Sequence, residues 1–460
     1  MIDTIVRVEK IELNNFKNVQ HGIIDLKNDM ERFHEYELHS DLIGIYGQNG
    51  SGKTAVVNAF EFLKLIMSGK SLPTDSYNYI YMFNDTAMLS FDFFIKHKEE
   101  EYIVTYEFEL KKENHEAIIN REKLSYVEKN VVRRVRKTLV EYDTQFESII
   151  KPITNFSTII NKTENVVNLK VAQKLAQEKK SSLIFNNEFA SIWDDMKEYI
   201  LLKNIRGALI DFARFNLCII NTQYSGAISS NLIIPLSFRI EEDKRISIGN
   251  IGVALNHPRI IDKDYFILLD KIVRQMNIVL GKIVPGLQLE LHNYGEEYDD
   301  KGNIGVKTEI LSLKGKDQLP VKYESEGIKK IISIMSTLIA MYNNPAICMI
   351  VDELDSGIYE FLLGEILSVI ESGGKGQIIF TSHNLRPLEV LDKDSIYFTT
   401  TNPMNRFIRL KNVKPNNNLR SYYIRSINLG GQQEEVYNET NEFEIQRAFR
   451  LAGEKYSVEG

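Results

Sequence analysis

Eight residues near the N-terminus, Gly47-Gln48-Asn49-Gly50-Ser51-Gly52-Lys53-Thr54, combine three glycines with a lysine and two hydroxyls. Glycine at these positions lets consecutive backbone N–H groups converge on phosphate oxygens with no Cβ in the way. A helix opening at the last glycine would add its positive end to the same anion. Lys53 is then spaced to reach the β- and γ-phosphates of a nucleoside triphosphate, and the Thr54 hydroxyl to ligate magnesium. A second stretch, Ile347-Cys348-Met349-Ile350-Val351-Asp352-Glu353, is an apolar run that ends in two carboxylates. As a buried parallel strand it would present both acids at its C-terminal edge. Asp352 would hold magnesium through water, and Glu353 would orient or deprotonate an attacking water. Alone, the run also reads as an ordinary strand ending in an acidic loop. Beside a phosphate loop it reads as the acidic half of an ATP site.

The rest of the chain must position these two stretches. Residues 5–26 alternate apolar and polar, which predicts a strand pair, and the short run Leu42 to Tyr46 predicts the strand that feeds the glycine turn. An apolar helix is expected from about Ala55 to Met67, followed by three alternating runs between Met88 and Val127 that predict an antiparallel sheet. Residues 1–127 form an N-terminal lobe in this reading. Residues 128–285 have helical periodicity and Lys/Glu-rich stretches, so a mostly helical insertion is expected. Residues 286–430 resume with strands near Leu287–Leu291 and Gly305–Ile310. They then alternate helix, strand, helix and strand from Ser325, the pattern of a parallel sheet covered on both faces. Residues 431–460 form a tail with a short amphipathic helix near Phe443–Arg450, to cap its own domain or dock a partner subunit. The expected class is α/β, a mixed sheet with an antiparallel β subdomain.

Composition narrows the function classes. A hydrophobic fraction of 43% beside 26% charged residues meets the needs of a packed core. The formal charge of −7 argues against a chain that coats nucleic acid over its whole surface. Two cysteines, Cys218 and Cys348, form no Cys-x-x-Cys pair, which fits a reducing compartment and no structural zinc. The charged N-terminus is not a signal peptide, and no apolar run approaches the roughly 20 residues of a membrane span. A cytoplasmic protein is expected, with no membrane partner. The densest positive stretch, Val131 to Lys137, reads as a solvated helix face or as a groove for nucleic acid phosphates or an acidic protein.

With these motifs in order, the chain resembles the ABC-type ATPases that include Rad50, SMC, RecF and related bacterial defence ATPases. The strand pair carrying Asn15-Phe16-Lys17-Asn18, the phosphate loop, an insertion and the acidic strand match that family's order. Leu354-Asp355-Ser356-Gly357 is similar to the family's D-loop, and Thr381-Ser382-His383-Asn384 to its switch-histidine segment. Ser325-Glu326-Gly327 is similar to its signature, Ser-x-Gly at a helix start. The resemblance implies an ATPase using ATP and Mg2+, with His383 sensing the γ-phosphate. It further implies that Ser325 and Gly327 of one copy complete the site of another, in a homodimer or higher homo-oligomer. Ser325 also reads simply as an N-cap.

The sequence departs from the family in two respects. No glutamine marks a Q-loop, for which Phe83-Asn84-Asp85 is the nearest locus, and the insertion is too short for a long coiled coil and zinc hook. The wording around Ser325 and Asn418-Leu419-Arg420-Ser421-Tyr422-Tyr423 is most similar to compact ATPases of bacterial anti-phage systems, the OLD-like, abortive-infection, Septu and PARIS groups. The segment after the switch histidine is too short for a nuclease domain. The expectation is therefore an ATP-driven sensor and scaffold that holds a separate, nuclease-type effector until a phage trigger protein arrives. A DNA-binding repair ATPase of the RecF or Rad50 type is the alternative.

Overall fold

The computed structural model describes residues 4–26, 40–129, 134–146, 149–242, 245–299, 301–411 and 418–457. In chain order, β1 (Thr4–Phe16) and β2 (Val19–Asp25) form a hairpin, and β3 (Asp41–Tyr46) leads through the glycine turn into α1 (Lys53–Met67). A meander comes next, of β4 (Thr86–His97), β5 (Glu100–Glu113), β6 (Glu116–Glu128), β7 (Lys137–Asp143) and β8 (Ile150–Lys151). Helices α2 (Ser157–Ile160), α3 (Thr163–Glu178), α4 (Asn187–Ala190) and α5 (Ile200–Asp211) precede β9 (Leu217–Ile220). Then come α6 (Thr222–Ser229), the hairpin β10 (Ile233–Glu242) and β11 (Arg245–Ala254), β12 (Arg259–Ile261) and α7 (Lys263–Ile283). Strands β13 (Leu287–Tyr298), β14 (Ile304–Lys314) and β15 (Asp317–Pro320) lead to α8 (Glu326–Asn343) and β16 (Cys348–Val351). The chain closes through α9 (Glu360–Gly373), β17 (Gln377–Thr381), α10 (Pro387–Val390), β18 (Ile396–Thr399), β19 (Phe407–Ile408), α11 (Leu419–Leu429) and α12 (Glu442–Ser457).

Two sheets set the architecture. The first is antiparallel, in the order β2-β1-β4-β5-β6-β7-β8. The second runs β19-β18-β3-β17-β16-β9 and is parallel except at β19. Successive side chains of a strand point to opposite faces, and the burial of the parallel strands obeys that alternation. Ile43, Ile45, Cys348, Ile350 and Ile379 pack with α1 and the antiparallel sheet in one core. Leu42, Tyr46, Met349, Val351, Ile378 and Phe380 pack with α7, α8 and α9 in the other. Helix α1 is thus sandwiched between the sheets, which is why its residues from Ala55 to Phe60 are all buried.

Among the described residues of 128–285 helix outweighs strand, yet its strands join both sheets. Strands β7 and β8 extend the antiparallel sheet, β9 pairs in parallel with β16, and β10 packs on α8. The four-residue run Leu217-Cys218-Ile219-Ile220 is too short for periodicity to separate a buried strand from a piece of buried helix. The basic run needs correcting as well. Val131, Val132 and Arg133 lie outside the described residues, but Lys137 begins a strand, not a helix, and bonds Glu128 at 3.0 Å.

Candidate functional site

Three glycines of the turn after β3 have positive φ, Gly47 at 151°, Gly50 at 76° and Gly52 at 99°. A Cβ on Gly47 would come 1.7 Å from the Thr399 hydroxyl. That hydroxyl is itself fixed, 3.2 Å from the Tyr46 carbonyl and 2.5 Å from Ser51 Oγ. From the other side, Asn18 donates to the Gly50 carbonyl, and Arg406 spans the Thr400 and Asn18 carbonyls at 2.6 and 2.7 Å. Gln48 is half-buried, while Asn49, Gly50 and Thr54 face solvent. Lys53 is 7% exposed, and its Nζ donates to the carbonyls of Gly47 and Gln48 at 2.7 and 2.9 Å. Burial draws its pKa below the usual lysine range, against the pull of Asp352, Glu353 and Asp355. Helix α1 has no capping side chain and no acid in its first turn, so its positive end is left for an anion.

Strand β16 brings the acids alongside. Asp352 is 1% exposed. Its Oδ1 accepts from the Thr381 hydroxyl at 2.6 Å, while Oδ2 is buried with no hydrogen-bond partner. A buried carboxylate oxygen left this way is costly unless a cation or ordered water meets it. With the exposed Thr54 hydroxyl on the same cavity, the donor set fits a hydrated magnesium ion. Glu353 comes next, in the left-handed region at φ 48°, held by its N–H to Thr381 Oγ1 at 2.8 Å. An acid residue at positive φ stores a little strain and aims its side chain off the strand, toward solvent. Asp355 Oδ2 accepts the N–H groups of His383 and Asn384 at 3.1 and 3.0 Å, which ties the loop after β16 to the segment after β17. The His383 side chain is exposed.

Ser325 and Gly327 lie at the start of α8, against the loop that follows β16. Ser325 caps α8, its Oγ accepting the Ile328 N–H at 3.4 Å, and it faces solvent. A Cβ on Gly327 would meet the Gly357 carbonyl at 2.0 Å, so only glycine lets α8 start against the loop that carries Asp355. Among the described residues no hydrogen bond joins Ser325 or Gly327 to residues 47–54. The expected sites therefore fall into two groups. The loop, Asp352, Glu353, Asp355 and His383 are gathered by three neighbouring parallel strands, and the Ser325–Gly327 helix start packs on the loop that carries Asp355 without bonding residues 47–54.

Sequence reasoning missed one flank of the site. The Ile220 carbonyl accepts the Asp352 N–H at 2.8 Å, which places Asn221 at the end of β9 beside the acidic strand. Asn221 donates to Glu61, Asn58 to Glu61 at 2.7 Å, and Lys17 to Asn58 at 2.7 Å. These four line, with Thr54 and Asp352, a cavity of about 780 Å³. Burial lowers the Lys17 pKa, with Asp352 and Glu61 opposing it. Phe83-Asn84-Asp85, the expected Q-loop locus, lies in a turn held by Lys112 of β5 through the Asn84 and Asp85 carbonyls. The available signal was a polar pair, Asn221-Thr222, closing a short apolar run.

A family model described as "AAA domain, putative AbiEii toxin, Type IV TA system" matches residues 42–389, from β3 to α10. The chain belongs to that family. Among AbiEii-like AAA proteins it has the build of an ABC-type ATPase head, and the match spans the phosphate loop, the Ser325 helix, the acidic strand and His383. Curated proteins offer no match. Among solved structures, an SMC head bound to the C-terminal winged-helix domain of ScpA is 14% identical with TM-score 0.43, over 88% of this chain and 97% of that one. An SMC head with extended coiled coil bound to the C-terminal domain of ScpA, from Pyrococcus furiosus, is 15% identical with TM-score 0.41, covering 88% and 96%. RecF with ATP, of the RecFOR pathway, is 14% identical with TM-score 0.34, covering 82% and 94%. No helix among the described residues is long and apolar enough to cross a membrane.

Proposed function

We propose that this AbiEii-like protein binds and hydrolyses ATP between two copies of itself, and that the assembly serves as a sensor and scaffold of a bacterial anti-phage system, controlling a separate effector. The observation that carries the two-copy reading is the division of the site. The phosphate loop lies with a buried, unpartnered Asp352 oxygen, while the start of an 18-residue helix at Ser325 faces solvent and, among the described residues, makes no hydrogen bond to that loop. The family description, a putative toxin of a type IV toxin–antitoxin system, supports a role in defence with a partner protein.

Lys53 leaves its two carbonyls to contact the β- and γ-phosphates, and the loop N–H groups and the start of α1 hold their oxygens. Magnesium, when bound through Thr54 and a water on Asp352, neutralises charge on those phosphates. Glu353 orients a water and takes up its proton, and His383 contacts the γ-phosphate. Ser325 and Gly327 of the second copy supply N–H and hydroxyl donors from the opposite side. Loss of the γ-phosphate removes those contacts and loosens the pair.

The test is light scattering and nucleotide binding on the full chain. Lys53→Ala is expected to abolish ATP binding. Glu353→Gln should slow turnover by about 100-fold or more and accumulate the ATP-bound assembly. A Glu353→Gln protein that stays a single copy at saturating ATP would overturn the two-copy site. For the cellular role, co-purification with genomic neighbours followed by phage challenge should recover an effector. DNA-stimulated turnover with no co-purifying protein would favour the RecF-like alternative.

A further inference from the structure

The tail after α11 lies on the nucleotide loop. The Asn438 N–H donates to the Gln48 side chain at 3.0 Å, Thr401 N–H to the Glu435 carbonyl at 2.8 Å, and Asn402 and Asn405 bond Glu434 at 3.0 Å each. Val436 is buried beneath this strap, 3% exposed. From there residues 437–453 are exposed throughout, and α12 leaves the surface at Asn441, whose side chain caps it. Residues 442–453 of α12 are exposed, yet Ile445, Ala448, Phe449 and Ala452 recur on one face at helical spacing. Ile445 is 42% and Phe449 77% exposed.

An apolar groove is left unfilled among the described residues. A cleft of about 450 Å³ runs between α7, α8 and α9, lined by Ile283, Leu338, Ile339, Leu362, Ile366 and Val369. We infer that α12 of one copy seats its Ile445–Phe449 face in the α7–α8–α9 groove of the second copy, as a clasp that closes when ATP joins the heads. The inference rests on the two-copy reading of the ATP site. In that arrangement the second copy's Ser325 meets the loop from which α12 departs. From Ser325, residues 335–343 of α8 lie roughly 15–27 Å along the helix. Four residues from Asn438 span at most about 14 Å before α12, itself about 24 Å long, begins. The reach therefore matches the groove. The groove wall carries one charge of each sign, Lys282 and Glu365, and α12 offers Glu442 and Glu444 near its start and Arg447 and Arg450 further along.

The test mixes two differently tagged full chains in a Glu353→Gln, Cys218→Ser background, one carrying Phe449→Cys and the other Val369→Cys, with a short bismaleimide. A product joining both tags, present with ATP and at background without it, is expected. Ile445→Ser/Phe449→Ser should weaken ATP-dependent association roughly a hundredfold while leaving nucleotide binding to each copy unchanged. Association of equal strength in that double variant, with no two-tag product, overturns the clasp and leaves the two-copy site standing. A control chain carrying both cysteines that cross-links within itself, with no two-tag product from the mixture, also overturns it. Failure of Glu353→Gln to associate at all removes the two-copy reading and the clasp with it.

Discussion

At the scale of single residues, the loop is decided by what cannot be accommodated. Gly47 is a packing necessity, because a methyl group there collides with a hydroxyl that also fixes Tyr46 and Ser51. Gly47→Ala is therefore expected to lose ATP binding and to lower the melting temperature, whereas a surface change such as Asn49→Ala should leave the melting temperature in place; calorimetry with and without nucleotide separates the two. Asn221 acts at one remove. It holds the Glu61 carboxylate beside the Asp352 cavity, so Asn221→Ala should weaken magnesium-dependent ATP binding by about tenfold while metal-free nucleotide affinity stays level, as titration calorimetry would read.

At the scale of elements, each functional side chain sits where a strand or helix ends. Strands β3, β16 and β17 are parallel neighbours, so their C-terminal ends deliver Gly47, Asp352 and Ser382 to one edge. Thr381 links two of them by bonding both the Asp352 carboxylate and the Glu353 N–H. Helix α8 is different: its start is capped by Ser325 and braced on Gly357. The two readings of Ser325 predict different losses. As a cap alone, Ser325→Ala costs about 1 kcal/mol of stability and leaves turnover intact. As a donor to the second copy's phosphate it should also lower ATPase activity by tenfold or more without changing the affinity of single copies for ATP, and paired urea and turnover measurements distinguish the outcomes.

At the scale of the whole molecule, a buried cation joins the two sheets. Arg7 of β1 is fully buried and bonds Asp41 at 2.7 Å, at the start of β3, and the Lys375 and Pro345 carbonyls at 2.8 and 3.2 Å. Gln377 completes the seam, its amide pairing with the Val8 backbone in both directions at 2.8 Å. The strand that carries the loop is thereby registered against the antiparallel sheet. Arg7→Met should cost about 3 kcal/mol in urea unfolding, since it strands two carbonyls and leaves Asp41 with the Gln377 amide alone, and the loss should be shared by both lobes in one transition.

Sequence alone determined the loop, the acidic strand, the antiparallel runs of β4 to β6 and the helix after Ser325, because each is written in local spacing: glycines where φ is positive, period two, period 3.6. The order of those motifs also carried the resemblance that the family match bears out. Only the tertiary structure decided that β9 lies beside β16 and brings Asn221 to the site, that 83–85 is a turn on the antiparallel sheet, and that the tail crosses the loop at Gln48. The reason is physical. A four-residue apolar run or a polar tail acquires its meaning from its neighbours, and those neighbours lie well over a hundred residues away in the chain.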